Sequence, residues 1–214
     1  MFDSLDPAAP VMSNRSLLNQ DRRLIQIVDA ALADSARKAG QWLACRPGCT
    51  QCCIGVFAIN QLDALRLWRG LNELQKTDPD RAKTIRRRAQ DATARLTYEF
   101  PGDPKTGILS EEAQAVHDFE TFGNDEPCPV LDPETGLCDL YGARPMTCRV
   151  FGPPVMNEDG LGVCELCFQG ATERQILDCE MKPDPDDLEE QILSRLEKQT
   201  SDEGQTIIAF ALSS

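Results

Sequence analysis

The 214-residue chain is long enough for one substantial core. Its formal net charge of −13 and pI near 4.5 exclude nucleic-acid phosphates and anionic lipid as main partners. Met1 to Ser13 carries Asp3 and Asp6 and no apolar run, so no secretory signal is expected, and no stretch approaches the roughly eighteen apolar residues of a membrane span. A cytoplasmic location follows, where ten cysteines favour metal or redox use over a disulfide framework.

Residues up to about Asn14, with Pro7 and Pro10, read as a mobile arm (1–15). From Ser16 the pattern is helical. Leu17, Leu18, Leu24, Ile25, Val28, Ala31 and Leu32 share one face, and Gly40 marks the stop. The helix leads into Cys45-Arg46-Pro47-Gly48-Cys49-Thr50-Gln51-Cys52-Cys53, which places four sulfur ligands within nine residues. Thiolates hold zinc, copper(I) or iron–sulfur clusters, and Pro47-Gly48 supplies the turn that lets neighbouring cysteines face one centre. Adjacent Cys52 and Cys53 point in different directions, so one ligates while the other supports, bridges or binds a second ion.

Ile54 to Ile59 is an apolar run too short for its period to separate strand from buried extended chain. Asn60, with Asp63 at the third helical position, caps a helix whose Ala64, Leu67, Trp68, Leu71 and Leu74 should pack beside the knuckle. Asp78-Pro79 opens another helix, running to about Tyr98 through Ala82, Ile85, Ala89, Ala92 and Leu96. Its Arg86-Arg87-Arg88 reads as a solvated face, with an RNA or acidic-partner contact as the functional alternative. After a loop from Pro101 to Gly107, Ser110-Glu111-Glu112 opens a helix through about Phe122, ending near Gly123-Asn124. His117 on that helix is expected at the surface or in packing, with a ligand or proton-carrier role as the less favoured reading.

Cys128 to Cys167 is dense in Gly, Pro and Cys and needs something other than a large apolar core to hold it. Asp184-Pro185 caps a last long helix with acidic Asp186, Asp187, Glu189 and Glu190 in its first turn and a stripe of Leu188, Ile192, Leu193 and Leu196. The apolar end, Thr206 to Leu212, either docks onto the core or mediates self-association. No internal repeat or low-complexity segment is present.

Within the cysteine-dense stretch run Cys128-Pro129-Val130-Leu131, then Cys138-Asp139-Leu140-Tyr141, then Arg144-Pro145-Met146-Thr147-Cys148-Arg149-Val150-Phe151. Together with the knuckle, this order resembles the YkgJ or CxxCxxCC family of zinc- or iron-chelating cysteine-cluster proteins, over about Cys45 to Phe151. The resemblance implies zinc or iron binding, often as an iron–sulfur protein, and related clusters occur in flagellin lysine methylases. Cys164-Glu165-Leu166-Cys167 adds a second close pair outside that pattern, and Cys179 stands alone without an assigned role.

Cys128, Cys138 and Cys148 recur every ten residues, compatible with three loop visits to one centre shared with the knuckle. The candidate ligands are therefore Cys45, Cys49, Cys52, Cys53, Cys128, Cys138, Cys148, Cys164 and Cys167. One 4Fe-4S cluster, two zinc sites, or one zinc site with a redox pair all satisfy this set, and an iron–sulfur cluster is preferred slightly over zinc. Tyr141 is expected to pack over the site, Pro145 to stiffen the approach to Cys148, and Arg144 to donate to sulfur or pair with Asp139. Arg149 is assigned either sulfur donation or a plain salt bridge.

A metal-binding protein in redox or metal handling is the leading reading. The alternatives are an enzyme of protein-methyltransferase type, or a structural zinc protein whose acidic helices bind a protein partner. With one His and no Gly-x-Gly-x-x-Gly or Walker loop, the sequence shows no catalytic motif. The expected fold is mainly α, with about five helices around an irregular cysteine-rich centre and little strand, in one domain over 16–200 followed by a tail, 201–214.

Overall fold

The computed structural model describes residues 15–157, 160–200 and 203–213; the N-terminal arm expected over 1–15 lies almost wholly outside them. The described residues form eight helices, five of them seven residues or longer, and three two-stranded sheets. They fall into two compact units, one built from the chain up to Arg46 and from Met146 to Thr200, the other from Pro47–Pro145 with the C-terminal segment after Glu203.

In the first unit, helix α1 (Arg15–Ala39) buries Leu17, Leu24 and Val28 along one face, as their spacing predicts. Gly40, at φ +51°, ends it in the left-handed conformation that a side chain would resist. Helix α7 (Leu188–Thr200) lies against α1 through Ile192 and Leu196, and Arg195 donates to Gln20 Oε1 at 2.8 Å. It begins later than Asp184-Pro185 implied. Asp184 Oδ2 does accept the Glu189 N–H at 2.7 Å, but Asp187 sits at φ +52°, so the intervening residues form a turn. Between these helices come α5 (Met146–Val150), the hairpin β4 (Val155–Asn157) and β5 (Gly160–Gly162), and α6 (Glu173–Leu177), closed by a Thr172–Gln175 capping box.

The second unit is built on α2 (Gln61–Thr77) and α3 (Pro79–Leu96). Both start where the sequence signals lie: Asn60 Oδ1 accepts the Asp63 N–H at 2.9 Å, and Asp78 Oδ1 accepts the Arg81 N–H at 3.0 Å, ahead of Pro79 at the first helical position. Leu67, Leu71, Ala82, Ile85 and Ala89 mesh between them, and full burial of each large side chain contributes about 1.5–3 kcal/mol. The chain terminus completes this core. Strand β1 (Ala58–Ile59) pairs antiparallel with β6 (Thr206–Ile207), Ala58 opposite Ile207, and α8 (Ile208–Ser213) packs Ile208 and Leu212 into the same cluster. Docking onto the core is thus the fate of the apolar end, and it also resolves Ala58-Ile59 as strand.

A second cluster gathers Leu96, Phe100, Phe122 and Ile207, with the Phe100 ring 4.5 Å from Phe210 and edge-on to Phe122 at 5.9 Å. It carries the hairpin β2 (Gly102–Asp103) and β3 (Ile108–Leu109) and the helix α4 (Ala113–Phe119). Helix α4 is shorter than the expected Ser110–Phe122. Ser110 Oγ takes the nearby Glu112 N–H in a local turn at 3.2 Å, and after Phe119 the chain passes through turns to Gly123.

Candidate metal centre

In the second unit the backbone draws distant cysteines together. Gly48, at φ +88°, makes the predicted turn, and the following residues coil so that the Cys53 N–H donates to Thr50 O at 2.8 Å. Ile54 then bridges Pro127 antiparallel, the Gly55 N–H donates to Glu126 O at 2.9 Å, and the Cys128 N–H donates to Cys53 O at 2.8 Å. This short ladder sets Cys128 beside Cys53. Past Cys128 the chain folds back on itself: Leu131 bridges Cys138, the Asp139 N–H donates to Val130 O at 2.9 Å, and Asp132 organises the turn by accepting from the Thr135 hydroxyl at 2.6 Å and the Glu134 N–H at 3.0 Å. The turn rests on the knuckle, since a Cβ at Gly136 would lie 3.5 Å from Gly48 Cα. Cys128 and Cys138 meanwhile pack against the α2–α3 core.

The sulfurs of this region feel one another. The Cys53 thiol donates to Cys52 and pulls its pKa down to about 6, against the opposing effect of burial, and the Arg144 guanidinium adds to the lowering. The same hydrogen bond, with burial, pushes Cys53 well above the ordinary thiol range, and the Cys128 and Cys138 sulfurs add to it. Burial pushes Cys128 up to about 12. It also raises Cys138, whose neighbour Asp139 adds to the effect while Arg144 opposes it.

The first unit gathers a different set. Cys45 Sγ occupies the space that a side chain at Gly152 would need, only 2.5 Å from the position of its Cβ. The Cys164 N–H donates to Gly152 O at 3.4 Å, the Cys167 N–H to Cys164 O at 2.8 Å, and the Ala44 N–H to Cys167 Sγ at 3.4 Å. Cys148 lies on α5, four residues before Gly152. Cys164, Cys167 and Cys179 are buried beside Ala39 and Phe168. The nine candidate ligands therefore divide: Cys49, Cys52, Cys53, Cys128 and Cys138 belong to the second unit, and Cys45, Cys148, Cys164 and Cys167 to the first.

A family model described as "CxxCxxCC: Putative zinc- or iron-chelating domain" matches residues 44–168. The chain belongs to this family. Comparison with curated proteins and with solved structures returned no match. The CxxCxxCC span takes in all nine candidate cysteines, including the Cys164–Cys167 pair that the sequence pattern left outside, and ends before Cys179.

Chemically, the CxxCxxCC domain offers sulfur donors throughout, the set that suits zinc or iron and gives hard cations little. All ten cysteines are outside any disulfide. Among the described residues no three His, Cys, Asp or Glu side chains stand in a ready-made metal cage. The donor chemistry fits a thiophilic metal. His117 is exposed on α4, with its Nδ1 3.2 Å from Glu120 Oε2.

The supporting residues differ in part from expectation. Asp139 takes no Arg144; its carboxylate, 2 % exposed, is held by Arg81 and Arg88 of α3, each at 2.5 Å, and Arg88 also donates to Leu131 O at 2.5 Å. Arg88 is thus a clamp on the Cys128–Cys138 hairpin rather than part of a solvated basic face, and Arg86 donates to Asn72 Oδ1 at 3.1 Å. Arg144 lies 3.9 Å over the Tyr141 ring and donates to Tyr141 O at 3.0 Å, leaving the ring's body exposed rather than packed over sulfur. Arg149 makes the salt bridge, to Asp29 at 2.7 Å. Gly70 of α2 was not singled out by sequence, yet a Cβ there would stand 2.4 Å from Ala143 Cβ. Its lack of a side chain admits the turn that follows Cys138.

Proposed function

We propose that the protein is a thiolate metal chelator in which Cys52, Cys53, Cys128 and Cys138, with Cys49 on the adjoining turn, hold iron as an iron–sulfur cluster for redox or metal handling. The observation that carries this reading is the ladder joining Cys53 to Cys128, continued by the hairpin that returns Cys138. It brings sulfurs separated by more than seventy residues into one electrostatic neighbourhood with no imidazole among them. When bound, such a cluster supplies a one-electron couple, and all-thiolate ligation in irregular loops suits it.

The chain's own groups serve it in distinct ways. The Cys52–Cys53 hydrogen bond favours thiolate at Cys52, and Arg144 offsets the negative charge that accumulates as further thiols ionise. The Arg81–Asp139–Arg88 clamp holds the hairpin that carries Cys138. A reducing cytoplasm keeps such thiols available for metal.

Purification of the full chain without oxygen, followed by iron, zinc and acid-labile sulfide assays and a visible spectrum, tests the assignment. Iron with matching sulfide and broad visible absorption supports the cluster. Colourless protein with stoichiometric zinc overturns it in favour of the zinc form of the same chelating site.

A further inference from the structure

We infer that Cys164 and Cys167 form a site of reversible oxidation, a dithiol that closes to an intramolecular disulfide when a small hydroperoxide reaches it. The inference concerns two sulfurs that the proposed cluster leaves unused, and it holds whichever metal the second unit binds.

Local backbone brings the two residues into bridging range. In Cys164-Glu165-Leu166-Cys167 the Cys167 N–H donates to Cys164 O at 2.8 Å, closing a turn over Glu165 and Leu166. The first and last Cα atoms of such a turn lie within about 7 Å. A disulfide needs Cα atoms about 4.4–6.8 Å apart, so the bridge forms with little movement of the chain. The side chains also fall on one side. Glu165 and Leu166 at the tip are exposed, whereas Cys164 and Cys167 turn inward into one buried cluster with Ala39 and Phe168. Neither is in a disulfide in this structure.

The turn is held at both ends. On entry the Cys164 N–H donates to Gly152 O at 3.4 Å, and on exit the Phe168 N–H donates to Trp42 O at 2.7 Å. The Ala44 N–H donates to Cys167 Sγ at 3.4 Å and fixes where that sulfur sits. Phe168 adopts φ +57°, an uncommon conformation for a bulky residue and one that persists where the surroundings over-determine it. Cys179 is a third thiol in the same cluster, but it follows α6, with its N–H on Ile176 O at 3.0 Å and its carbonyl accepting the Ser35 hydroxyl at 2.6 Å. No such turn ties it to either partner.

Burial selects the oxidant. Cys164 is 8 % exposed and Cys167 4 %, which shuts out a bulky disulfide substrate and leaves room for a small peroxide entering at the tip of the turn. The thiolate of one cysteine attacks the O–O bond; its sulfur becomes a sulfenic acid, and the departing oxygen takes a proton and leaves as water or an alcohol. The second thiol then attacks the sulfenic sulfur, forming the S–S bond and releasing water. The dithiol loses two electrons and two protons, and the peroxide is reduced by the same two electrons. The bridge tightens the turn against which residues 42–44 rest.

The test treats the full chain, purified without oxygen, with equimolar hydrogen peroxide, then alkylates it, digests it with trypsin and maps the peptides by mass spectrometry. Cleavage after Arg149 and Arg174 leaves Cys164 and Cys167 in one peptide with no third cysteine. That peptide is expected to escape alkylation and to weigh two hydrogens less, and dithiothreitol added before the alkylating agent should restore it. Full alkylation of the pair while other cysteines oxidise overturns the inference, as does a bridge from either sulfur to Cys179 or oxidation that dithiothreitol does not reverse. The same treatment in urea, where the turn is lost, should spread oxidation among the ten cysteines. A native pattern no more selective than the unfolded one also overturns the site. Iron, zinc and sulfide assays on the untreated sample decide the metal of the second unit separately, so failure of the cluster reading is distinguishable from failure of this one.

Discussion

Arg88 Nη2 meets Asp139 Oδ2 at 2.5 Å, and through that contact helix α3 grips the hairpin carrying Cys138. Arg81 holds the other carboxylate oxygen, while the second terminal nitrogen of Arg88 takes Leu131 O. Asp139→Asn removes the charge from a buried carboxylate position and leaves two guanidiniums without their anion. Unfolding in urea should show a loss of about 1–3 kcal/mol, the usual range for a buried hydrogen-bonded group left unsatisfied. Metal retention should fall as well. A variant with wild-type stability would mean that the clamp is incidental.

Gly70→Ala tests how closely the turn after Cys138 approaches α2. In an ordinary helix interior the change stabilises by roughly 0.5–1 kcal/mol. Here the new methyl would lie 2.4 Å from Ala143 Cβ, and overpacking of that kind costs about 1–3 kcal/mol, so the sign reverses. Removing the opposing methyl in Gly70→Ala/Ala143→Gly should recover part of the loss. Stabilisation by Gly70→Ala alone, read from the thermal midpoint, would show that the approach is looser than described.

These two sites also show what was legible beforehand. Helices α2 and α3 could be read from sequence because Asn60 and Asp78-Pro79 are local signals whose partners lie three residues away. The α1 stripe and the Gly40 stop are local in the same sense. The clamp was not legible, because Arg88 looks like any charge on a polar face until the chain returns at Asp139, 51 residues later. Helix α4 was legible as a helix but not in its start: Ser110 is a good cap in composition but spends its hydroxyl on a tighter local turn. Cysteine order marked the metal-binding stretch, yet spacing by ten says nothing about which unit each loop joins. That depends on ladders such as Cys128 N–H to Cys53 O.

Asp132 gives the hairpin a pH dependence of defined sign. The Thr135 hydroxyl, and next the Glu134 N–H, hold its carboxyl below the usual value of 3.8. A depressed folded-state pKa contributes stability above the unfolded value, and that contribution is lost as pH falls through the folded one. The difference in thermal midpoint between wild type and Asp132→Ala should therefore be full near neutral pH and shrink below about pH 4. A gap that stays constant or widens on acidification would contradict the turn's hydrogen bonds.

The central claim is that Cys53 and Cys128, far apart in sequence and joined across one backbone hydrogen bond at 2.8 Å, serve the same metal. Iron and acid-labile sulfide in anaerobically purified Cys53→Ser and Cys128→Ser proteins test it most directly. The account predicts that each single replacement depletes iron and sulfide together, to the same extent as the double replacement. Wild-type iron and sulfide in either single variant would contradict it.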